Sequence, residues 1–484
     1  MKRTLLFFLT LFALLLAARW CHLDILWAEE TLPLAAAGQM AHGKVLYRDL
    51  WFDKPPLLAW TYLAWGARDG FPLRLAGALY ALLACWIAWR FAGDLWGRRE
   101  ALWAAGLLAF YLVFDIPSAV TPLAADLLML APHLAAIWLA WRRRPFWSGV
   151  VAGIAFLVNS KGVFVLAACA YWDLRALPWL LAGFAIPNAL AATAMWSQDA
   201  LGAYYEQVWK WGRLYASGTF GASPWANGVL RTAHWLGFHA AIVMGALWFW
   251  WRDAKADRAR WAIWAATCAI AVAAGGRFFP RYYFQLLPMV TLAGARGLTL
   301  LGGRRAMAVG ALLLVPLVRF GPRYALLARD RVEGQTHQWV DLDMDRDSRR
   351  AAQLARRWSA PGDTLFVWGF RPELYVYTGL AAGARFLDSQ PLTGVPADRH
   401  LTEWQPVESE STRAHRAELA GADPTFIMDG LGPLNPRLAL GAYADLRPWL
   451  AGYAEVGRTG LTVVYRRRAL HAGLGGRVVF GTTN

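Results

Sequence analysis

Long apolar segments, separated by short charged stretches, constrain this chain more than any other feature of its sequence. Hydrophobic residues make up 57% of the 484 residues, and they fall in blocks of membrane-spanning length instead of the amphipathic periods of soluble helices. This pattern predicts an α-helical polytopic membrane protein with about 11 transmembrane helices. The predicted spans lie at about residues 4–20, 73–92, 100–115, 122–141, 146–159, 162–174, 177–196, 230–251, 261–276, 282–301 and 305–320.

Basic residues in the turns between these spans predict the orientation of the chain, because cytoplasmic turns collect Lys and Arg. With Lys2 and Arg3 in the cytoplasm, alternate turns carry basic residues, at 98–99, 142–144, 175, 252–260 and 296–305. The first span is expected to be a retained anchor, because Arg19 and Trp20 stand where signal cleavage requires small residues. The odd number of spans places the chain after Gly321 on the opposite, outer face.

The formal charge of +16 does not indicate a nucleic-acid partner, since the basic residues cluster at the ends of apolar segments and no basic recognition face is evident. The lipid bilayer is therefore the expected partner of this charge. The four cysteines lie in or beside apolar segments without disulfide or metal spacing, and the histidines show no ligand pattern. No Gly-rich phosphate loop occurs.

After Gly321 the charges become dense and the long apolar runs stop. Residues 1–320 are therefore predicted to form the transmembrane domain, and 321–484 a small α/β domain outside the membrane. Four segments resemble strands, at Thr364–Gly369, Ala384–Asp388, Pro424–Asp429 and Leu461–Arg466. Segments with helical patterns alternate with them, at Ser348–Trp358, Arg371–Thr378, Thr412–Ala420 and Tyr443–Leu450.

A polar stretch, Trp27–Leu58, interrupts the apolar sequence within the first outer loop, residues 21–72. A charge beside a membrane is costly unless it is paired or hydrated, so charges there are usually functional or interfacial. Glu29 and Glu30 precede a predicted short helix over 31–42, at the mouth of the helix bundle. Glu29 could take a proton from an incoming nucleophile. Alternatively, both glutamates stabilise the N-terminus of that helix through its dipole.

The order of motifs in this stretch resembles the bacterial glycosyltransferases of the GT-C fold. The acidic pair is followed by a short helix ending at Gly43, by Leu46–Asp49 (LYRD), and by Asp53–Leu57 (DKPPL). The pattern is most similar to the branch that includes the aminoarabinose transferases of lipid A and the protein O-mannosyltransferases. That family commonly has Asp-Glu where this chain has Glu29-Glu30. The resemblance covers residues 1–320 well and the later domain loosely.

The resemblance implies roles for these residues. Glu29, with Glu30 beside it, corresponds to the catalytic acid of the first loop, and Lys54 to the lysine associated with the phosphate of the lipid-linked donor. Some relatives bind a divalent ion at that acid, so the only implied metal ligand is Glu29 and no cofactor is certain. The remaining polar residues of the loop are expected to brace it or to contact substrate: Tyr47, Arg48, Asp49 and Asp53.

Three later motifs also resemble the family and fall on the same predicted face. Thr121–Ala136 contains Asp126 at the family's second acidic position. The segment NSKG places Lys161 between two short spans, and GGRFFPRYYF places Arg277 and Arg281 at the outer end of a late span. The resemblance implies a catalytic role for Asp126 and donor-phosphate binding by the three basic residues. Each also has an interfacial explanation, as a helix-end or snorkelling charge.

The loop Tyr204–Gly221 carries six aromatic side chains among Glu206, Lys210 and Arg213. Aromatic rings anchor proteins at the lipid headgroups and also bind the C–H faces of sugars. Both interpretations of this loop stay open from the sequence.

Together these features predict transfer of a sugar from a polyprenyl-phosphate donor to an unidentified lipid, glycan or protein acceptor. The expected location is the outer, periplasmic face of a bacterial inner membrane, and the expected mechanism is a single displacement with inversion. One alternative is a transporter or flippase of lipid-linked saccharides, because charges among helices also mark transport paths. Another is a catalytically silent anchor whose outer domain binds a partner.

Overall fold

The computed structural model describes residues 2–172, 174–213, 223–254, 256–335, 339–395 and 404–468. The chain forms two compact units. The first unit comprises Met1–Arg346 and Arg371–Gly379, and the second comprises Asp347–Phe370 and Leu380–Asn484.

The first unit is helical. Its helices, in chain order, are α1 Lys2–Trp20, α2 Ala28–Ala41, α3 Pro56–Ala64, α4 Phe71–Trp96, α5 Arg98–Tyr111, α6 Pro117–Val120, α7 Ala125–Trp141, α8 Pro145–Val158, α9 Gly162–Trp172, α10 Leu177–Trp196, α11 Leu201–Tyr204, α12 Pro224–Phe238, α13 Ala240–Arg252, α14 Arg258–Ala273, α15 Leu287–Leu301, α16 Gly303–Gly310 and α17 Leu314–Glu333. Tyr205–Lys210 is a π-helix, and Leu174–Ala176, Pro280–Gln285 and Ala311–Leu313 are 3₁₀ turns. Helix α18, Val340–Arg356, runs through residues of both units, and α19, Glu373–Thr378, belongs to the first.

Four helical segments of the described chain are long and apolar enough to cross a membrane: Lys2–Trp20, Phe71–Trp96, Leu174–Trp196 and Gly303–Glu333. Four shorter apolar helices accompany them: Ala125–Trp141, Pro145–Val158, Gly162–Trp172 and Leu287–Leu301. The predicted span over 230–251 is divided at His239 into α12 and α13. A helical protein with membrane-spanning segments is thus confirmed, and the number of spans stays a prediction.

Small residues let the helices approach closely. A Cβ atom on Gly297 of α15 would lie 1.7 Å from the carbonyl oxygen of Gly245 in α13, so the two backbones are in direct contact. Gly183 of α10 similarly faces the Phe146 carbonyl of α8, where an added Cβ would lie 2.0 Å away. In lipid, where apolar side chains gain little by leaving the solvent, such backbone contacts provide much of the packing energy.

The polar stretch that interrupts the apolar sequence contains two short helices, α2 and α3. Pro56 starts α3 at a position where proline needs no hydrogen-bond partner for its nitrogen. Helix α2 carries Glu29 and Glu30 in its first turn, and its middle, from Leu32 to Ala37, is buried by the surrounding protein. The predicted short helix is therefore present, begins earlier than expected, and is covered by the protein.

The second unit contains a five-stranded sheet in the order β2-β1-β3-β5-β4, which confirms the predicted small sheet-containing domain. The strands are β1 Thr364–Trp368, β2 Ala381–Ala382, β3 Phe426–Asp429, β4 Tyr453–Arg458 and β5 Val463–Arg467, and the further helices are α20 Gln390–Thr393, α21 Glu410–Ala420 and α22 Arg447–Leu450. β1 pairs in parallel with β2 and β3, whereas β3, β5 and β4 are antiparallel. The central strands β1 and β3 are almost fully buried, as their continuous apolar sequences require.

In this unit one predicted strand is absent, one strand was not predicted, and one predicted helix is present only in part. The segment Ala384–Asp388 is irregular, because pairing with β1 ends at Ala382 and the Asp388 carboxylate then accepts a hydrogen bond from Gln390 N at 2.8 Å, which turns the chain. Strand β4 was not predicted, because its polar residues and a bulge between Glu455 and Gly457 hide the alternation of a strand. The helix predicted over 443–450 is helical only in α22.

Candidate active site

Glu29 lies opposite Arg281, which stands 252 positions later in the chain. Glu29 belongs to the first turn of α2, and Arg281 to the 3₁₀ turn Pro280–Gln285. Arg281 Nη1 donates a hydrogen bond to Glu29 Oε1. Both side chains are partly exposed, by 17% for Glu29 and 30% for Arg281, so the pair is accessible from the protein surface.

Asp126 shares the same guanidinium. It lies in the first turn of α7, its side chain is 8% exposed, and its Oδ2 is 3.7 Å from Arg281 Nε. Asn159 Nδ2 donates to Asp126 Oδ1 at 3.4 Å. Two carboxylates from separate helices therefore face one arginine, and both predicted acidic positions belong to one cluster.

Lys161 completes the basic side of this cluster. Its Nζ lies 3.3 Å from the centroid of the Tyr282 ring, a cation–π contact, and within the described residues it is buried without a hydrogen-bond acceptor. Lys161 N donates to Asn159 Oδ1 at 3.1 Å, which fixes the turn between α8 and α9. Burial lowers the pKa of the Lys161 ammonium to about 8, while the nearby Asp126 carboxylate opposes that change.

The segment Val45–Lys54 brings Lys54 towards the same acids. Lys54 Nζ donates to Asp53 Oδ2 at 2.8 Å, and the lysine side chain is 43% exposed. Lys54 lies within electrostatic reach of Asp126, as do Lys161, Arg281 and Glu29. Glu29, Asp126, Lys54, Lys161 and Arg281, which we call the acid–base cluster, thus come together from five segments of the chain.

Tyr47 gives this segment its shape. Its backbone has φ +68°, a conformation uncommon for residues with bulky side chains. Its hydroxyl donates to the carbonyl of Lys54 at 2.7 Å. Asp49 Oδ2 accepts from Val45 N at 2.8 Å, and Arg48 Nε donates to Asp49 Oδ1 at 2.9 Å. These bonds hold the backbone on both sides of Tyr47.

Gln207 is a residue that sequence reasoning missed. It is buried in the π-helix Tyr205–Lys210, where its Oε1 accepts from Phe52 N at 2.7 Å and its Nε2 donates to Tyr47 O at 2.8 Å. One amide thereby clamps the Lys54 segment from about 155 residues away. A lone amide in an aromatic stretch was the available signal, and π-helical turns often mark functional sites.

The aromatic loop lies partly within the described chain, and its residues 214–222 fall outside it. Tyr204 packs edge-on against Tyr47 with ring centroids 5.1 Å apart, and Trp211 packs against Trp51 at 5.8 Å. These rings cover the segment that carries Lys54. The choice between headgroup anchoring and sugar contact stays open.

Glu30 has different surroundings from its neighbour Glu29. It is fully buried, and Arg74 of α4 donates to Glu30 Oε1 at 2.6 Å and to Oε2 at 2.9 Å. Trp27 N and Leu123 N also donate to this carboxylate, at 3.1 and 3.3 Å. The Glu30 carboxylate therefore ties α2, α4 and the start of α7 together without facing solvent.

Arg277 is 4% exposed and follows two glycines with positive φ, Gly275 and Gly276. Arg277 is therefore a buried arginine, four positions before Arg281 in the sequence.

The carboxylates of the acid–base cluster are not arranged to bind a metal ion. In the described part of the chain, no three His, Cys, Asp or Glu side chains converge. Glu29 and Asp126 both face the Arg281 guanidinium, which holds the cationic position between them. A divalent ion would have to displace this arginine.

Comparison with known families supports the pattern found in the sequence. Residues 53–194 match the model of the dolichyl-phosphate-mannose-protein mannosyltransferase family. No curated protein matches the sequence.

Comparison with solved structures extends the likeness over most of the chain. ArnT from Cupriavidus metallidurans bound to undecaprenyl phosphate is 15% identical, with a TM-score of 0.59 over 97% of this chain and 98% of that one. The same protein in the apo state gives a TM-score of 0.57 at 15% identity, over 96% of this chain and 98% of that one. The predicted resemblance is thus confirmed: the chain has a GT-C fold like that of ArnT, and its residues 53–194 match the protein mannosyltransferase family.

Proposed function

We propose that this protein transfers a sugar from a polyprenyl-phosphate donor to an acceptor hydroxyl or phosphate at the outer face of a bacterial inner membrane. The observation that carries the proposal is the acid–base cluster, in which Glu29 and Asp126 face Arg281, and Lys161 and Lys54 lie within electrostatic reach of Asp126. The similar fold of ArnT, a structure of which holds undecaprenyl phosphate, supports the class of donor.

The proposed reaction is a single displacement. The acceptor oxygen attacks the anomeric carbon, and the bond from that carbon to the phosphate oxygen breaks. The electron pair leaves with the polyprenyl phosphate, and the acceptor proton passes to a carboxylate. Attack opposite the leaving group inverts the configuration of the sugar carbon.

Glu29 is the proposed base, since it is the partly exposed carboxylate of the cluster. Lys54, Arg281 and Lys161 would stabilise the negative charge that grows on the departing phosphate, because electrostatic attraction is strong where water is scarce. Asp126 would orient Arg281 and assist Glu29. Arg277 would add positive charge to the phosphate site from a buried position.

The other loop residues receive positioning roles in this proposal. Glu30 would hold the first turn of α2 through Arg74, so that its neighbour Glu29 faces the cluster. Tyr47 and Asp49 would fix the backbone before Lys54, with Arg48 on the outside. Asp53 would hold the Lys54 ammonium until the donor phosphate arrives.

The test compares variants in cells that lack the chromosomal gene. Glu29→Gln and Lys54→Met should each reduce sugar transfer by roughly 100-fold or more, the usual cost of removing a catalytic base or an electrostatic contact to the transition state. Mass spectrometry of surface glycans and lipid-linked sugars would show the donor accumulating and the modification disappearing. The same measurement would identify the sugar and the acceptor.

Two control variants make the same changes of charge outside the cluster. Asp24→Asn removes an acid whose side chain is 75% exposed, and Lys44→Met removes a lysine from the same loop. Both controls should transfer sugar at the parental rate. Full activity of Glu29→Gln and Lys54→Met in folded protein would contradict the assignment, and a product with the donor's anomeric configuration would contradict the single displacement.

A further inference from the structure

We propose that a groove along α5 binds one acyl chain of an anionic phospholipid, with the lipid phosphate at Arg99. The groove has a volume of about 400 Å³. Arg99 lies at one end, and the other walls are apolar, including Leu102, Trp103, Phe110 and Leu313. No residue of the acid–base cluster lines it, so its occupant is distinct from the proposed sugar donor.

The length of the groove favours a phospholipid over a polyprenol. Arg99 and Phe110 are separated along α5 by about 17 Å at the rise of 1.5 Å per residue. One leaflet of the bilayer is about 15 Å deep, half of a hydrocarbon core of about 30 Å. A groove of this length matches one acyl chain that starts at the headgroups and ends at the bilayer centre.

The charge at the end of the groove favours an anionic headgroup. Arg99 is exposed, and within the described residues its guanidinium forms no ion pair with a carboxylate. Arg98 precedes it, and both stand at the start of α5, on the face that the basic turns predict to be cytoplasmic. Anionic lipids of that leaflet are attracted to such residues by about 1 kcal/mol for each Lys or Arg.

Gly106 keeps the groove open. A Cβ atom added to this residue would meet no atom within 4 Å, and Gly106 lies in the middle of α5. A large side chain at this position would enter the space proposed for the acyl chain without colliding with the protein. The sequence therefore offers a way to fill the groove without changing the charge.

Binding is measured by native mass spectrometry of the full-length protein in detergent, titrated with dioleoyl phosphatidylglycerol or dioleoyl phosphatidylcholine. The wild type should bind the first phosphatidylglycerol more tightly than phosphatidylcholine. Arg99→Ala should weaken phosphatidylglycerol binding about fivefold, the change that corresponds to about 1 kcal/mol, and phosphatidylcholine binding less, because the choline cation offsets the charge of its phosphate. Gly106→Trp should weaken the binding of both lipids.

Arg98→Ala is the matched control, because it removes the same charge one residue away and outside the groove. It should weaken phosphatidylglycerol binding clearly less than Arg99→Ala does, because Arg98 does not line the groove. Equal effects of Arg98→Ala and Arg99→Ala, or no preference of the wild type for phosphatidylglycerol, would show only a general attraction to the basic face and would overturn the proposal. Unchanged binding by Gly106→Trp would do the same. Thermal unfolding checks that each variant is folded, and Gly106→Leu replaces Gly106→Trp if the latter does not fold.

Discussion

Glu29 and Glu30 are adjacent in sequence, yet the structure predicts opposite consequences when each becomes glutamine. Glu30→Gln keeps the shape of the side chain but removes the charge that compensates Arg74. Both partners are buried, at 0% and 1% side-chain exposure, so solvent cannot replace the lost interaction. Removing one partner of a buried ion pair typically costs about 3–5 kcal/mol, because the other charge is left uncompensated.

The loss should be visible as a lower unfolding temperature of the full-length protein in detergent. At about 2 °C per kcal/mol, the scale of large domains, the midpoint should fall by roughly 6 to 10 °C. Glu29→Gln should shift the midpoint by far less, because its ion pair with Arg281 is partly exposed and hence weaker. In the transfer assay the order should reverse, with Glu29→Gln nearly inactive while folded. Equal shifts of the unfolding temperature for the two variants would refute this assignment of a structural and a reactive glutamate.

Three further predictions concern the cluster and its scaffold. The pKa of Lys161 is lowered to about 8 by burial, so its charge is complete only below that pH; transfer should decline above about pH 8, whereas Lys161→Arg should extend activity to higher pH. Gln207→Leu removes both hydrogen bonds to the segment Val45–Lys54 and should lower kcat by roughly 10- to 100-fold. Gln207→Glu keeps an oxygen that accepts from Phe52 N but loses the donor to Tyr47 O, so it should restore only part of the activity. Parental activity of Gln207→Leu would exclude a positioning role. Gly297→Ala should greatly reduce the yield of folded protein, because its Cβ would collide with the α13 backbone, whereas Gly310→Ala, with open space around it, should not.

The sequence was informative wherever a property depends on local composition. Apolar length predicted the membrane-spanning segments, and the motifs around Glu29 and Lys54 predicted the GT-C fold. Sequence spacing could not show that Glu30 pairs with Arg74, because that pairing depends on how α2 packs against α4. The sequence also could not show that Gln207 binds the backbone of the segment Val45–Lys54, because Gln207 lies about 155 positions later in the chain.

The strand errors in the second unit have a different physical origin. Ala384–Asp388 has an apolar centre, and Phe386 and Leu387 are indeed buried, but burial does not require a ladder of backbone hydrogen bonds. Strand β4 lies at the edge of the sheet, where only one neighbour pairs with it and polar side chains are tolerated. Hydrophobic alternation therefore predicts central strands better than edges.

The charges around Arg281 indicate how the proposed reaction could begin. Glu29, Asp126 and Asp53 carry three negative charges, and Arg281, Lys161 and Lys54 carry three positive charges, so the ionised group is neutral before a donor binds. A neutral group is cheaper to hold beside a membrane than an excess of one sign. In the proposed reaction, the donor phosphate adds negative charge and competes with Glu29 for Arg281 and with Asp53 for Lys54. Each basic side chain that turns to the phosphate leaves a carboxylate without its partner. In the proposed reaction, Glu29 would then be free to take the proton of the acceptor.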